Sequence, residues 1–346
     1  MKMTKRAVSA ALALITAAAL LTGCSKTLDG TETVCTVNDD VITMGEYSFY
    51  ARYEQGMMHA TYTSMFGAAD GLFDTVQDDE TGDTVGDKLV QDALDTLIRD
   101  TAIAQHAADY GVSLDDEELA EIDRVAQAYI DENDEAARSK VAASKEDVDN
   151  VLKLITLSSK MREPMTADMD TEVTDEEAAQ TKLSICRIKT NQDETAEEAL
   201  TNAEKILAAL QSEKDPAAAD IETIAKGIDE NASVTTSTFS TNDPSDSILN
   251  DTIMSALDGV DEGEFVDYVI DDADANSYVI VRVDTYFDED ATERKKTSIL
   301  NTRRGDLYSS IAEGWVADAA VERHEKAIAK IEINDRDAYT LVEDAG

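Results

Sequence analysis

The stretch VCTVNDDVITMGEYSFYARY, residues 34–53, decides how this chain folds. It predicts a short strand, a tight turn and a helix. β-Branched residues alternate at Val34 and Thr36, and the sequence NDD at 38–40 then supplies residues that favour turns and tolerate positive φ. Thr43 and Glu46 form a capping-box pattern that begins the helix. Because a short strand is not stable alone, it needs a partner strand from elsewhere in the chain.

The predicted helix carries many aromatic and methionine side chains, and they cover more than one helical stripe. They are Tyr47, Phe49, Tyr50, Tyr53, Met57, Met58, Tyr62, Met65 and Phe66. A hydrophobic core is the simpler interpretation. Methionine-rich surfaces also repack around varied partners. We therefore consider Tyr50, Met57 and Met58 as a candidate cradle for unfolded polypeptides.

The first residues have the pattern of a targeting signal. Three basic residues precede an apolar run at 7–21, which is short for a membrane span but typical of a signal peptide. The run ends in LTGC at 21–24, which matches the lipobox of bacterial lipoproteins. We predict a signal peptide at 1–23, lipidation of Cys24 as the attachment to the cell membrane, and a polar tether at 24–33. A plain secretory signal with an accidental cysteine is the alternative.

Length and charge limit the remaining possibilities. The 346 residues suffice for two domains, and 42% apolar residues allow a substantial core. The net charge of −44 argues against nucleic-acid binding, which needs a basic face, and against direct adhesion to anionic lipid headgroups. A solvated acidic surface is the simpler interpretation of this charge, and binding of basic clients or cations is the alternative.

No cluster of residues predicts a metal, a cofactor or a hydrolase. Beside Cys24, only Cys35 and Cys186 remain, without CxxC or Cys/His spacing. They could pair in an oxidising exterior, although two small buried residues are the simpler interpretation. The three histidines are isolated from one another in the sequence, and we expect them to be surface or packing residues: His59, His106 and His324.

Periodicity divides the chain into helical flanks around a mixed segment. Helices are predicted at 87–110, from 113, at 144–162 and at 291–330. Between these flanks, from 183 to 283, elements follow the order β-α-α-β-α-β-β, which describes a compact domain with antiparallel strands. The acidic cluster at 271–274 is interpreted as a solvated turn. The predicted fold class is therefore α+β.

Three stretches, 34–46, 93–117 and 315–333, resemble the PrsA/SurA class of extracytoplasmic foldases. In that family a mostly helical chaperone region is built from both ends of the chain, and a parvulin-type peptidyl-prolyl isomerase domain is inserted into it. The resemblance implies that a strand at 331–333 pairs with 34–37. It further implies two domains: 34–168 plus 289–346 as the chaperone-like domain, and 170–288 as the parvulin-like domain.

The inserted segment departs from the parvulin pattern. The resemblance puts Ile185 and Val279 at the positions of the two parvulin histidines, and neither side chain can form a hydrogen bond. The family's prolyl pocket maps onto Phe239, Pro244 and Ile248. Whether the domain is an active isomerase or a parvulin-like binding module therefore stays open.

Taken together, these features predict a membrane-anchored extracytoplasmic chaperone or foldase. Its partners would be unfolded or newly secreted polypeptides, with no nucleic acid, metal or cofactor. The alternative is a catalytically inert surface lipoprotein, a binding module that retains only the fold.

Overall fold

The computed structural model describes residues 14–16, 28–190, 195–334 and 340–342. Cys24 and most of the predicted signal peptide lie outside the described residues. The chain forms two compact units, the first from residues 1–169 and 306–346 and the second from residues 170–305. Helices combine with small antiparallel sheets, so the fold is α+β, as predicted.

Secondary structure is numbered along the described part of the chain. The strands are β1 (Leu14–Thr16), β2 (Thr33–Val37), β3 (Asp40–Thr43), β4 (Gln180–Lys189), β5 (Ser233–Ser240), β6 (Ile270–Asp272), β7 (Ser277–Thr285), β8 (Val321–Arg323) and β9 (Thr340–Val342). The helices are α1 (Met44–Phe66), α2 (Val85–Gln105), α3 (Asp116–Glu132), α4 (Glu135–Val141), α5 (Lys145–Met165), α6 (Asp175–Ala178), α7 (Ala196–Gln211), α8 (Ile221–Ile228), α9 (Asp251–Ala256), α10 (Glu289–Asp318) and α11 (Glu325–Ile328). Single-turn 3-10 helices lie at Ala107–Tyr110, Pro216–Ala218, Pro244–Asp246 and Ala273–Ala275.

The opening strand β2 lies at the centre of a three-stranded sheet, in the order β3-β2-β8. The β2–β3 hairpin turns at Asn38, whose φ of 54° is the left-handed conformation that Asn tolerates. On its other side β2 pairs antiparallel with β8, with Val37 opposite Val321. A second, two-stranded antiparallel sheet joins β1 to β9.

The predicted pairing of 331–333 with the opening strand is wrong, because β8 takes that place. Ile331 and Ile333 are nevertheless buried in the same core as β2. Their alternation therefore reports burial and not a ladder. The backbone oxygen of Glu332 accepts a hydrogen bond from Nη2 of Arg52 (3.0 Å), so a side chain and not a strand holds this segment.

The long helix predicted at 291–330 ends early, at Asp318. The cause is Asn38, which contacts Ala320 twice. Its backbone N–H donates to the Ala320 oxygen (2.8 Å), and its side-chain oxygen accepts from the Ala320 N–H (2.9 Å). These two bonds fix Ala320 beside the hairpin, so the chain continues as β8. In addition, the first part of α10 belongs to the second unit and its last part to the first.

Two helix starts in the first unit are linked through their capping boxes. The predicted box is confirmed: Thr43 Oγ1 accepts from the Glu46 N–H (3.1 Å), and Glu46 Oε2 accepts from the Thr43 N–H (2.9 Å). Asp147, which caps α5 with Ser144, also accepts from Thr43 Oγ1 (2.8 Å). Asn150 Nδ2 in turn donates to Glu46 Oε1 (2.9 Å). Burial raises the pKa of Glu46, although these hydrogen bonds oppose the rise.

The second unit is a four-stranded antiparallel sheet in the order β5-β4-β7-β6. Helices α7 and α8 pack with one of its clusters, which includes Cys186, Ile188 and Ile280. Helix α9 packs with the other cluster, which includes Leu183 and Val281. Cys35 and Cys186 do not form a disulfide with each other, because both are buried free thiols in the described part of the chain.

The β2–β8 pairing is tested by Glu322→Pro. Glu322 lies opposite Thr36, between the bonds from the Asn38 N–H to Ala320 O and from the His324 N–H to Val34 O. In an antiparallel ladder this position is a hydrogen-bonded pair, so proline removes a bond and leaves a strand oxygen unsatisfied. We expect a loss of about 2 kcal/mol in the free energy of unfolding. Urea unfolding followed by the fluorescence of Trp315, the chain's single tryptophan, measures it.

The matched control is Glu325→Pro. Glu325 is the first residue of α11, where proline is tolerated because its N–H has no partner within the helix. Equal losses in both variants would contradict the importance of the β8 ladder.

Candidate functional site

Helix α1 is buried in its first half. Tyr47 is fully buried and its hydroxyl donates to the oxygen of Val90 (3.0 Å). Phe49 packs edge-on against Tyr129, with ring centroids 5.4 Å apart. Tyr50 is 8% exposed. For these residues the simpler interpretation, a hydrophobic core, is correct.

The second half of α1 presents large apolar side chains to solvent. Met57 is 37% exposed, Tyr62 41%, Met65 69% and Phe66 66%. The rings of Tyr62 and Phe66 lie 4.9 Å apart, one helical turn from each other. Gly67 ends the helix in the left-handed conformation (φ 81°). We call these four side chains, Met57, Tyr62, Met65 and Phe66, the apolar helix end.

The structure separates the three residues predicted as a cradle. Tyr50 lies in the core, Met58 is half-buried against it and Met57 is exposed. The exposed apolar side chains lie nearer the C-terminal end of the helix than the three predicted residues do. The signal was present in the sequence, since Tyr62, Met65 and Phe66 belong to the same aromatic and methionine series. Sequence alone could not tell where the helix leaves the core.

The two positions aligned with the parvulin histidines are apolar and buried. Ile185 on β4 is 2% exposed, and Val279 on β7 is 0% exposed. They belong to one cluster together with Phe239, Val281 and Val283. The strand register sets Ile185 opposite Val281 and Val279 opposite Arg187.

The residues mapped to the prolyl pocket do not share one environment. Phe239 is 7% exposed and packs in the core, whereas Ile248 is 92% exposed. Pro244 is exposed, in the single-turn helix that follows β5. Their assignment as a pocket stays a prediction.

A polar cluster lies on the sheet face that carries Ile185. Nη1 of Arg187 donates to Oδ2 of Asp272 (2.6 Å), and Nδ2 of Asn250 donates to Oδ1 (2.8 Å). The side chain of Asp272 is only 2% exposed. The solvated-turn interpretation of 271–274 is therefore wrong for Asp272, because the alternation of β6 turns it inward while Asp271 points out.

The charge of Asp272 is held by its partners. Burial opposes ionisation, but the hydrogen bonds from Arg187 and Asn250 outweigh burial, so the pKa of Asp272 lies below its ordinary 3.8. Both carboxylate oxygens of Asp272 thus have partners within the fold. We therefore interpret the cluster as a structural ion pair and not as a substrate-binding group.

The described part of the chain contains neither a membrane-spanning helix nor a cluster of metal ligands. No helix there is both long and apolar enough to span a membrane. Nor do three or more His, Cys, Asp or Glu side chains come together there as ligands for a metal ion.

Residues 1–139 match the family model of the SurA-like N-terminal domain. This range, which includes the apolar helix end, is similar to that domain. The resemblance to the PrsA/SurA class that the sequence predicts is thereby confirmed. No curated protein matches the chain.

Three solved structures are similar to parts of the chain. They are foldase protein PrsA from Streptococcus pneumoniae (18% identity, 70% of this chain and 90% of that chain, TM-score 0.25), peptidylprolyl isomerase PrsA from Bacillus cereus (12%, 86% and 96%, 0.30) and PrsA from Bacillus subtilis (14%, 76% and 94%, 0.22).

The buried ion pair is tested by Asp272→Ala. The substitution leaves Arg187 without its carboxylate partner, which costs about 3 kcal/mol for a buried pair. Hydrogen–deuterium exchange of the β4 and β7 amides measures the loss. Asp271→Ala is the matched control, because Asp271 is the exposed neighbour and should leave exchange unchanged.

The same pair predicts a pH dependence with a definite sign. Since the pKa of Asp272 is lowered in the folded state, its contribution to stability is fully present above the ordinary pKa of 3.8. It is lost as the pH falls through the folded pKa. The difference in the free energy of unfolding between wild type and Asp272→Ala should therefore shrink below about pH 4. A constant difference down to pH 2 would contradict the ion-pair account.

Proposed function

We propose that the protein is an extracytoplasmic chaperone that binds unfolded, newly secreted polypeptides through the apolar helix end. The observation that carries this proposal is the exposure of Met57, Tyr62, Met65 and Phe66 on a helix whose first half is firmly buried. Exposed clusters of large apolar side chains mark interaction sites, since in water they would otherwise favour aggregation.

The chemistry of this surface suits varied partners. Methionine is flexible and polarisable, and aromatic rings supply large contact areas at low conformational cost. Such side chains can repack around different apolar segments without requiring one sequence. The SurA-like N-terminal domain at 1–139 contains the whole surface, which supports a role in this family's chaperone region.

We further propose attachment to the membrane through a lipid on Cys24. This rests on the order of basic residues, apolar run and LTGC tetrad in the sequence. Lipid attachment would hold the apolar helix end where secreted chains emerge unfolded.

For the second unit we propose a parvulin-like fold without isomerase chemistry. Ile185 and Val279 offer no hydrogen bonds, and with Phe239 they belong to a closed apolar cluster. Isomerisation needs a ring-binding pocket and groups that polarise the amide around a twisted transition state. The alternative function, an inert binding module that retains only the fold, shares this second unit and differs in having no clients.

Client binding is tested by the triple variant Tyr62→Ser, Met65→Ser, Phe66→Ser. We expect the full chain to suppress aggregation of a reduced model protein, and the variant to lose most of this activity because three of the four apolar side chains of the surface are gone. Light scattering measures aggregation, and circular dichroism checks that the variant is folded.

A control variant removes three exposed apolar side chains elsewhere: Val41→Ser, Ile248→Ser and Tyr268→Ser, which are 50%, 92% and 53% exposed. We expect it to retain suppression. An equal loss in both variants would show that general surface hydrophobicity, and not the apolar helix end, binds clients. Failure of the wild type to suppress aggregation would favour the inert module.

Isomerase activity is tested with a proline peptide followed by NMR exchange. Uncatalysed isomerisation takes tens to hundreds of seconds. We expect the full chain to leave this rate unchanged, because the side chains at 185 and 279 cannot act on the amide. Acceleration by the wild type that disappears in Phe239→Ala would overturn the proposal.

A further inference from the structure

We propose that the apolar helix end selects unfolded segments that combine apolar side chains with Lys or Arg. This inference rests on the proposed client binding and adds the chemical class of client. Its basis is the charge of the chain that forms and flanks the surface.

All Asp, Glu, Lys and Arg positions in the segment that carries the apolar helix end are Asp or Glu. Between Arg52 and Lys88 there is no Lys or Arg. Over the same 35 residues there are eight acidic residues: Glu54, Asp70, Asp74, Asp78, Asp79, Glu80, Asp83 and Asp87. Every fixed charge in the segment therefore has one sign.

Beyond the helix end, the first of these charges follows at position 70, and those at 74–83 continue along the same loop. The loop after Gly67 returns at once to the core, where Ala69, Leu72 and Phe73 are buried. Asp70 therefore lies exposed only four residues beyond Phe66. Val76 bridges to Thr84, so the acidic tip at 78–80 lies in a closed turn with its side chains exposed.

The acidic groups are available to a partner. Asp78 Oδ1 accepts from the N–H groups of Glu80 and Thr81, and these bonds lower the pKa of Asp78. Asp70, Asp78, Asp79 and Glu80 are exposed, and none forms an ion pair with a Lys or Arg of the described chain. Nearby, by contrast, Lys88 pairs with Asp92.

Charge complementarity decides which occupant fits. An apolar segment with Lys or Arg gains attraction at its flanks as its apolar side chains contact the helix end. An acidic segment is repelled, and so is a second copy of this chain, which carries the same net charge of −44. The preference acts over about one Debye length, about 10 Å at 0.1 M salt, so salt should weaken it.

The test uses the full chain and two fluorescent peptides that share the same Leu and Phe positions. One has Lys and the other Gln at the polar positions. By fluorescence anisotropy at low salt, we expect the Lys peptide to bind about tenfold more tightly, and this ratio to fall towards one at high salt.

Two variants with the same change in net charge separate local from global effects. The loop variant is Asp70→Asn, Asp78→Asn, Asp79→Asn and Glu80→Gln. The control replaces four exposed acids of the second unit: Glu197→Gln, Glu204→Gln, Glu213→Gln and Glu230→Gln. We expect the loop variant to lose the preference while keeping its affinity for the Gln peptide, and the control to keep both.

The outcomes distinguish this inference from the proposed function. Equal affinity of the wild type for both peptides would overturn the charge preference and leave client binding intact. Equal loss of preference in the loop and control variants would also overturn it, since overall charge would then suffice. Binding of neither peptide would overturn the proposed function itself, and with it this inference.

Discussion

The two hydrogen bonds between Asn38 and Ala320 are the constraint on which the first unit depends. They join residues 282 positions apart. Asn38 can make both because it lies at the tip of a hairpin with positive φ, where its backbone N–H and side chain face the same residue. With Ala320 fixed, β8 completes the sheet around β2, and the chain segments before and after the second unit become one fold.

Contacts along the returning segment extend this closure. The Tyr308 hydroxyl lies 2.7 Å from Ser158 Oγ, and the Trp315 ring stacks on His106 with centroids 4.3 Å apart. Further on, a Cβ at Gly86 would overlap the backbone oxygen of Ile333, so the close passage of 333 requires glycine there. The first half of α1 is buried in the core of this unit, where Tyr47 bonds to Val90 and Phe49 packs against Tyr129. The second half extends beyond this core, and its apolar side chains remain exposed.

Sequence reasoning predicted local structure well wherever one side chain acts on its own backbone neighbours. The Thr43–Glu46 capping box and the strand at 34–37 are of this kind, because their signals are complete within a few residues. It failed where two distant segments compete for one partner. The alternation at 331–333 indicated a strand, but β8 occupies the place beside β2. The burial of Asp272 could not be predicted from its local sequence either, since its partners Arg187 and Asn250 belong to other elements.

Unfolded polypeptides should contact the apolar helix end and not the residues of the second unit that map to a prolyl pocket. Photocrosslinking distinguishes the two surfaces, with a photoreactive residue placed at Met65 in one sample and at Ile248 in another. Both side chains are exposed, at 69% and 92%, so access alone does not favour Met65. We expect crosslinks to an unfolded client from position 65 and few from position 248. Crosslinks from 248 without crosslinks from 65 would contradict client binding at the apolar helix end.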